Sequence, residues 1–223
     1  MARATPASPV RAALVFAASA AVIGFSFGVL ARTSGFSLPM TCAMSLFVFA
    51  GGSQFLAVAT IASGGTPLAA VLGGIVLNAR HLPYGLAVTP LVRGPLWKRA
   101  LSSQIVLDES TALALAQPTP ELGRVAFYAC GCALFLTWNL GTVAGALAGG
   151  AIADPAALGL DAAFPASMVA LLAPLLRRRD TRAAALAGAA LALAATPFTA
   201  PGVPILVAAA GALAARFVRE APA

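Results

Sequence analysis

Asn78, Arg80, His81 and Tyr84 are residues that a hydrocarbon environment cannot ignore. Arginine is a permanent cation with a planar fork of donors, histidine titrates near neutral pH, and asparagine and tyrosine both donate and accept. Such a set can grip a carboxylate, pair with an acid or pass a proton. It lies inside an apolar run, where an ionisable group is costly and marks a functional site by default. Arg80 is too central in that run to be read as a residue snorkelling to an interface. Asn78 and His81 share a helical face at i, i+3, and Tyr84 lies one turn beyond Arg80. Pro83 removes the donor that the Ala79 carbonyl would use in an unbroken helix.

A second interruption, Gly51-Gly52-Ser53-Gln54, precedes it. The glycines can be close-packing positions, with Ser53 and Gln54 bonding a neighbouring helix. Alternatively the chain unwinds there and its freed N–H groups receive a substrate carboxylate, as half-helix N-termini do in transporters. Asp108 and Glu109 form the third feature. They read as interfacial charges, as the partner of Arg80, or, together with His81, as the groups that carry a coupling proton.

The elements that must position these residues follow from composition. Of 223 residues, 60% are hydrophobic and 9% charged, and the mean hydropathy is +0.92. A soluble domain carries about a quarter charged residues, so the fold class is an all-α polytopic membrane protein in a lipid bilayer. The net charge of +7 does not point to nucleic acid, because the basic residues sit at the ends of apolar segments, as the positive-inside rule expects. Cys42, Cys130 and Cys132 lie within apolar segments, and Cys130-Gly131-Cys132 has the wrong spacing for a zinc pair. No disulfide, metal site or cofactor is expected. The basic N-terminus, with Arg3 and Arg11, imitates a signal peptide, but its apolar run continues without a cleavage site and is kept as the first span.

One transport domain over 1–223 is expected, with seven transmembrane helices at about 11–30, 39–62, 67–92, 123–151, 162–176, 182–195 and 201–215. Residues 101–116 reach only about 24 Å as a helix, short of a core near 30 Å, and are expected to re-enter or half-insert. On one helix, Gln104, Asp108 and Thr111 would share a face. Asp154 and Asp161 mark a short acidic loop. With the N-terminus outside, every Lys and Arg except Arg3, Arg11 and Arg80 falls on the cytoplasmic side. A crossing at 101–116 would instead leave Arg32, Arg93, Lys98 and Arg99 outside. With seven crossings and 101–116 re-entrant, spans 1–3 and 4–6 would run in opposite directions. Each set begins with a glycine-ridged packing helix, Gly24 and Gly28 against Gly141 and Gly145, which together suggest an inverted repeat.

Five blocks, in order over about Pro9 to Arg219, carry a family resemblance. They are Gly24-Phe25-Ser26-Phe27-Gly28, Phe49-Ala50-Gly51-Gly52-Ser53-Gln54-Phe55, Asn78-Ala79-Arg80-His81-Leu82-Pro83-Tyr84-Gly85, Leu107-Asp108-Glu109-Ser110 and Trp138-Asn139-Leu140-Gly141-Thr142. Together they resemble the AzlC family, the large subunits of bacterial branched-chain amino acid exporters. The resemblance implies a multi-pass protein of the bacterial inner membrane that exports leucine, isoleucine, valine and in some members methionine. It also implies a small AzlD-type membrane subunit as partner. Leu107 and the Asn78-Ala79 pair depart from the family's usual residues, which bears on substrate choice.

Within that frame Gly51, Gly52, Ser53, Gln54, Asn78, Arg80, His81 and Tyr84 are the expected substrate contacts. His81, Asp108 and Glu109 are the expected coupling or gating groups, since only they titrate within reach of physiological pH. No P-loop pattern is present, so direct use of ATP is not expected, nor is enzymatic activity. Two other classes compete: an intramembrane hydrolase with Ser53 as nucleophile and His81 as base, and a non-transporting scaffold. The first lacks a flanking signature and a third orienting group. The second rests only on the small-residue ridges.

Overall fold

The computed structural model describes residues 9–216 except 153, 161, 163–164, 167–168, 170–171 and 174. Asp161 and nearly half of the expected span at 162–176 therefore lie outside the described residues. The rest forms helices α1 (Pro9–Thr33), α2 (Leu38–Ala43), α3 (Gly51–Ala62), α4 (Pro67–Asn78), α5 (His81–Val88), α6 (Leu96–Ser103), α7 (Asp108–Leu115), α8 (Pro120–Ala148), α9 (Arg179–Ala195) and α10 (Val203–Ala208). A π-helical turn, Met44–Val48, extends α2, and 3-10 turns follow α9 and α10. Among the described residues there is no strand.

Among the described residues three helical stretches are long and apolar enough to cross a membrane: Arg11–Thr33, Pro120–Ala148 and Arg179–Phe198. The expected spans at 39–62, 67–92 and 201–215 are shorter or interrupted. The stretches at 39–62 and 67–92 are each divided into two helices, and 101–116 does not form one helix but the end of α6 and all of α7.

The chain divides into two compact units. The first comprises residues 1–50 and 79–153, and the second 51–78 and 154–223.

The first unit is built on α1 and α8. In lipid there is no hydrophobic gain between helices, so association depends on close packing and interhelical hydrogen bonds. Here four glycines supply the closeness. A Cβ on Gly24 would stand 2.6 Å from the Trp138 carbonyl oxygen, and one on Gly28 would collide with the Thr142 carbonyl. From the other side, Gly141 lies against Ala21 and Gly145 against Phe25, while Gly149 meets Val29 and Arg32. Partners advance together along both helices, so α1 and α8 run parallel. This corrects the expected inversion, which required the first and fourth spans to oppose each other. A small-residue ridge permits close approach in either direction, so the ridges alone carried no sense of direction. Parallel alignment of two crossing helices also requires an odd number of crossings between them. Seven crossings with a re-entrant 101–116 would place only two there.

In the second unit α3 and α4 form a hairpin through the turn at Gly64, whose φ of +82° suits glycine. Gly73 faces Leu56 and Gly74 faces Ser53. The opposite face of α4, with Leu68, Val71, Leu72 and Ile75, is exposed, as expected of a helix that turns an apolar stripe to lipid. Gly188 on α9 admits Gly211 and Ala208.

Candidate functional site

Three interruptions of the helical chain place the polar residues, and each has a physical cause. The first lies at Phe49 and Ala50. The π turn ends in Phe49 with φ 31° and ψ 51°, the one non-glycine residue in the left-handed region among those described. Its ring is buried and meets Phe135 edge-on at 4.9 Å, which fixes a conformation that costs about 1–2 kcal/mol. The expected unwinding at Gly51 and Gly52 thus occurs just before them. These glycines and Ser53 form the first turn of α3, where backbone N–H groups lack helical acceptors.

The second interruption is the turn at Ala79 and Arg80. α4 ends at Asn78 and α5 restarts at His81, with Pro83 in its first turn, where a missing N–H costs nothing. The Ala79 carbonyl, expected to be left without a donor, accepts from the Leu82 N–H at 3.1 Å.

The third spans residues 104–107. Leu107 is extended (φ −129°, ψ 169°) and begins α7. The Ser110 hydroxyl accepts from the Leu107 N–H at 3.0 Å and donates to the Ile105 carbonyl at 2.7 Å. That pair of bonds holds the chain in a sharp start and puts Asp108 and Glu109 in the first turn, the favoured end for acids. Gln104 is consequently at the end of α6, not on one face with Asp108 and Thr111.

The starts of α5 and α7 meet at one ion pair in the first unit. Arg80 Nη1 lies 2.9 Å from Asp108 Oδ2, with side chains 32% and 23% exposed. The Tyr84 hydroxyl donates to Asp108 Oδ1 at 2.7 Å. Each oxygen of Asp108 therefore has a charge-assisted or strong partner. His81 packs edge-on against Tyr84 with centroids 6.1 Å apart. Glu109 is half-buried and makes no ion pair among the described residues. The choice between the two acids is thus made by the helix start, since neighbouring helical residues point about 100° apart.

The expected site residues are shared between the units. Arg80, His81, Tyr84, Asp108 and Glu109 belong to the first, and Gly51, Gly52, Ser53, Gln54 and Asn78 to the second. In the second unit Ser53 and Gln54 are buried in α3, 4% and 0% exposed. Among the described residues no three His, Cys, Asp or Glu side chains gather as a metal site would need.

Other polar residues support the first break without having been singled out as site residues. Gln104 Nε2 donates to the Leu46 carbonyl at 2.8 Å, just before the Phe49 break. Ser45 in the same π turn donates to Asn139 Oδ1 at 2.7 Å and lies 3.2 Å from the Thr142 hydroxyl. The signal for them was a polar residue facing inward from an apolar segment, but only the position of the break shows which carbonyl each must serve.

Comparison with known proteins follows the same lines. The AzlC protein family profile matches residues 15–152. A branched-chain amino acid transport protein of Bacillus subtilis, AzlC, is 29% identical over 131 residues, 57% of this chain and 50% of that protein. An uncharacterized membrane protein of Archaeoglobus fulgidus is 34% identical over 176 residues, 77% of this chain and 76% of its own length. One of Helicobacter pylori is 25% identical over 130 residues, 57% of each chain. The chain thus spans little more than half the length of two of these relatives. No solved structure matches.

Proposed function

The chain belongs to the AzlC family, and on that premise we propose that it is a secondary transporter exporting branched-chain or related neutral aliphatic amino acids across the bacterial inner membrane. The observation that carries the reading is the Arg80–Asp108 pair, set at two helix interruptions and steadied by Tyr84. An arginine near the bilayer midplane costs at least about 2.5–3.5 kcal/mol without compensation. Asp108 compensates it in the empty protein. A substrate carboxylate competes with Asp108 for the same guanidinium, so substrate binding and the state of Asp108 are linked. Aliphatic side chains suit an apolar protein interior.

Helix lengths support a crossing at each broken segment. Residues 38–62, 67–88 and 96–115 measure about 37, 33 and 30 Å at helical rise, each enough for a core near 30 Å. Three crossings between α1 and α8 give the odd number that their parallel packing needs. Each interruption then falls near mid-depth, where secondary transporters place their sites. The glycine ridges and the exposed apolar faces suit a small AzlD-type membrane subunit.

The test is intracellular leucine, isoleucine, valine and methionine after dipeptide feeding, with and without the gene. Expression should lower at least one of these pools several-fold, and collapse of the pH gradient at constant voltage should abolish the difference. Unchanged pools for all four would overturn the reading.

A further inference from the structure

We propose that the Thr111 hydroxyl and the Nε–H of Arg80 together bind the carboxylate of the transported amino acid. Thr111 is then a substrate contact that determines specificity, an inference that rests on the transporter reading above. Hydroxyls in helices of this protein ordinarily donate to the carbonyl one turn back. Thr33 does so to Val29, Thr89 to Gly85, Ser102 to Lys98 and Thr137 to Ala133. Thr111 does not. The carbonyl one turn back, that of Leu107, receives the Thr111 N–H at 3.0 Å and has the Ser110 hydroxyl at 3.3 Å. Thr111 is 4% exposed, yet its Oγ1 has no partner among the described residues. A buried hydroxyl in that condition is unfavourable unless something else meets it.

The position of Thr111 says what would meet it. It lies at i+3 from Asp108 on α7 and so shares a face with the residue that holds Arg80. The Nε of Arg80, the residue that Asp108 holds, is another buried atom of this unit without a hydrogen-bond partner among the described residues. Both oxygens of Asp108 are already engaged, one by Tyr84 and one by Arg80 Nη1. A ligand for the remaining donors must therefore bring its own acceptors. A carboxylate offers two, one for each donor. The Thr60 hydroxyl also lacks a partner, but it is closed in by Gly65 and Gly202 of the second unit, which leaves no room for a ligand beside it.

This arrangement orders the events at the pair. The substrate docks on donors that Asp108 does not use, while Asp108 is still held, and only then competes for the rest of the guanidinium.

The experiment measures binding of leucine and of leucinamide to the purified full chain in lipid nanodiscs, together with melting temperatures in the absence of ligand. Leucine should bind the parent and leucinamide should bind at least about tenfold more weakly, since loss of a bond to a charged group is worth that much. Thr111→Val should weaken leucine about tenfold or more and melt no lower than the parent, because a hydroxyl without a partner has been removed. Thr111→Ser should stay within about threefold for leucine. Parental leucine affinity in Thr111→Val would overturn the assignment while leaving the transporter reading intact. So would a lowered melting temperature in that variant, which would mark the hydroxyl as a structural group bridged by water. If the parent neither binds nor exports any of the four amino acids, both readings fall together.

Discussion

The α1–α8 pair and the segment around Arg80 belong to the same unit and meet opposite demands. α1 and α8 are unbroken over 25 and 29 residues. They are held by backbone pressed against backbone at Gly24, Gly28, Gly141 and Gly145. Around Arg80 the helices are short and interrupted, and side chains replace the lost backbone bonds: Ser110 at Leu107, Gln104 at Leu46, and Asp108 beneath Arg80. The difference teaches what each construction can do. Close backbone packing has one solution and resists displacement. Side-chain bonds can be exchanged for bonds to a ligand at little net cost.

The comparison breaks most severely at Gly28. Gly28→Leu would drive its side chain into the Thr142 carbonyl and the Ala146 N–H, with no room for relaxation short of separating the helices. A loss of about 3 kcal/mol or more is expected, read as near-absence of folded protein on detergent size-exclusion. A normal elution profile for this variant would show that α1 and α8 are not the rigid element.

The next effect belongs to the ion pair. Arg80→Ala leaves Asp108 without its counter-charge and should cost about 2 kcal/mol, less than a fully buried pair because both side chains keep some exposure. Membrane abundance and export should both fall. Adding Asp108→Asn should restore abundance and leave export absent. Export restored by the double variant would mean that the pair is structural only. Tyr84→Phe is gentler. It removes the hydroxyl that donates to Asp108 at 2.7 Å, with an expected loss of about 1 kcal/mol after allowance for solvent. It should shift the half-saturating substrate concentration more than the abundance.

The smallest effect sharpens the contrast from the other direction. A Cβ at Gly85, inside α5, would meet nothing within 4 Å. Gly85→Ala should therefore be neutral or stabilising by about 0.5–1 kcal/mol through helix propensity. If it instead reduces abundance as Gly28→Leu does, the first unit has a neighbour on that face.

Much of this was legible in the sequence. The long apolar runs located α1 and α8, and the cost of arginine in a hydrocarbon run singled out Arg80. The acid that pairs with it was not legible. Asp108 and Glu109 are adjacent, and their directions depend on where α7 begins, which Leu107 and Ser110 decide together. The break at Phe49 was also hidden, because a phenylalanine gives no local reason to adopt a left-handed conformation. The reason lies in the pocket beside Phe135, distant in sequence. The direction of α1 against α8 could not be read from glycines that fit either way.

The short stretch from Gln104 to Asp108 touches two of the other interruptions at once, since Gln104 holds the carbonyl before the Phe49 break and Asp108 holds Arg80. Two bolts on one plate cannot be drawn independently. A fluctuation that frees one anchor is resisted by the other, so accidental opening requires two improbable events together, whereas a ligand that removes one anchor leaves only the second to break. Tightness against leakage and responsiveness to cargo are then set by the same four-residue spacing, and an insertion or deletion within it would trade one for the other.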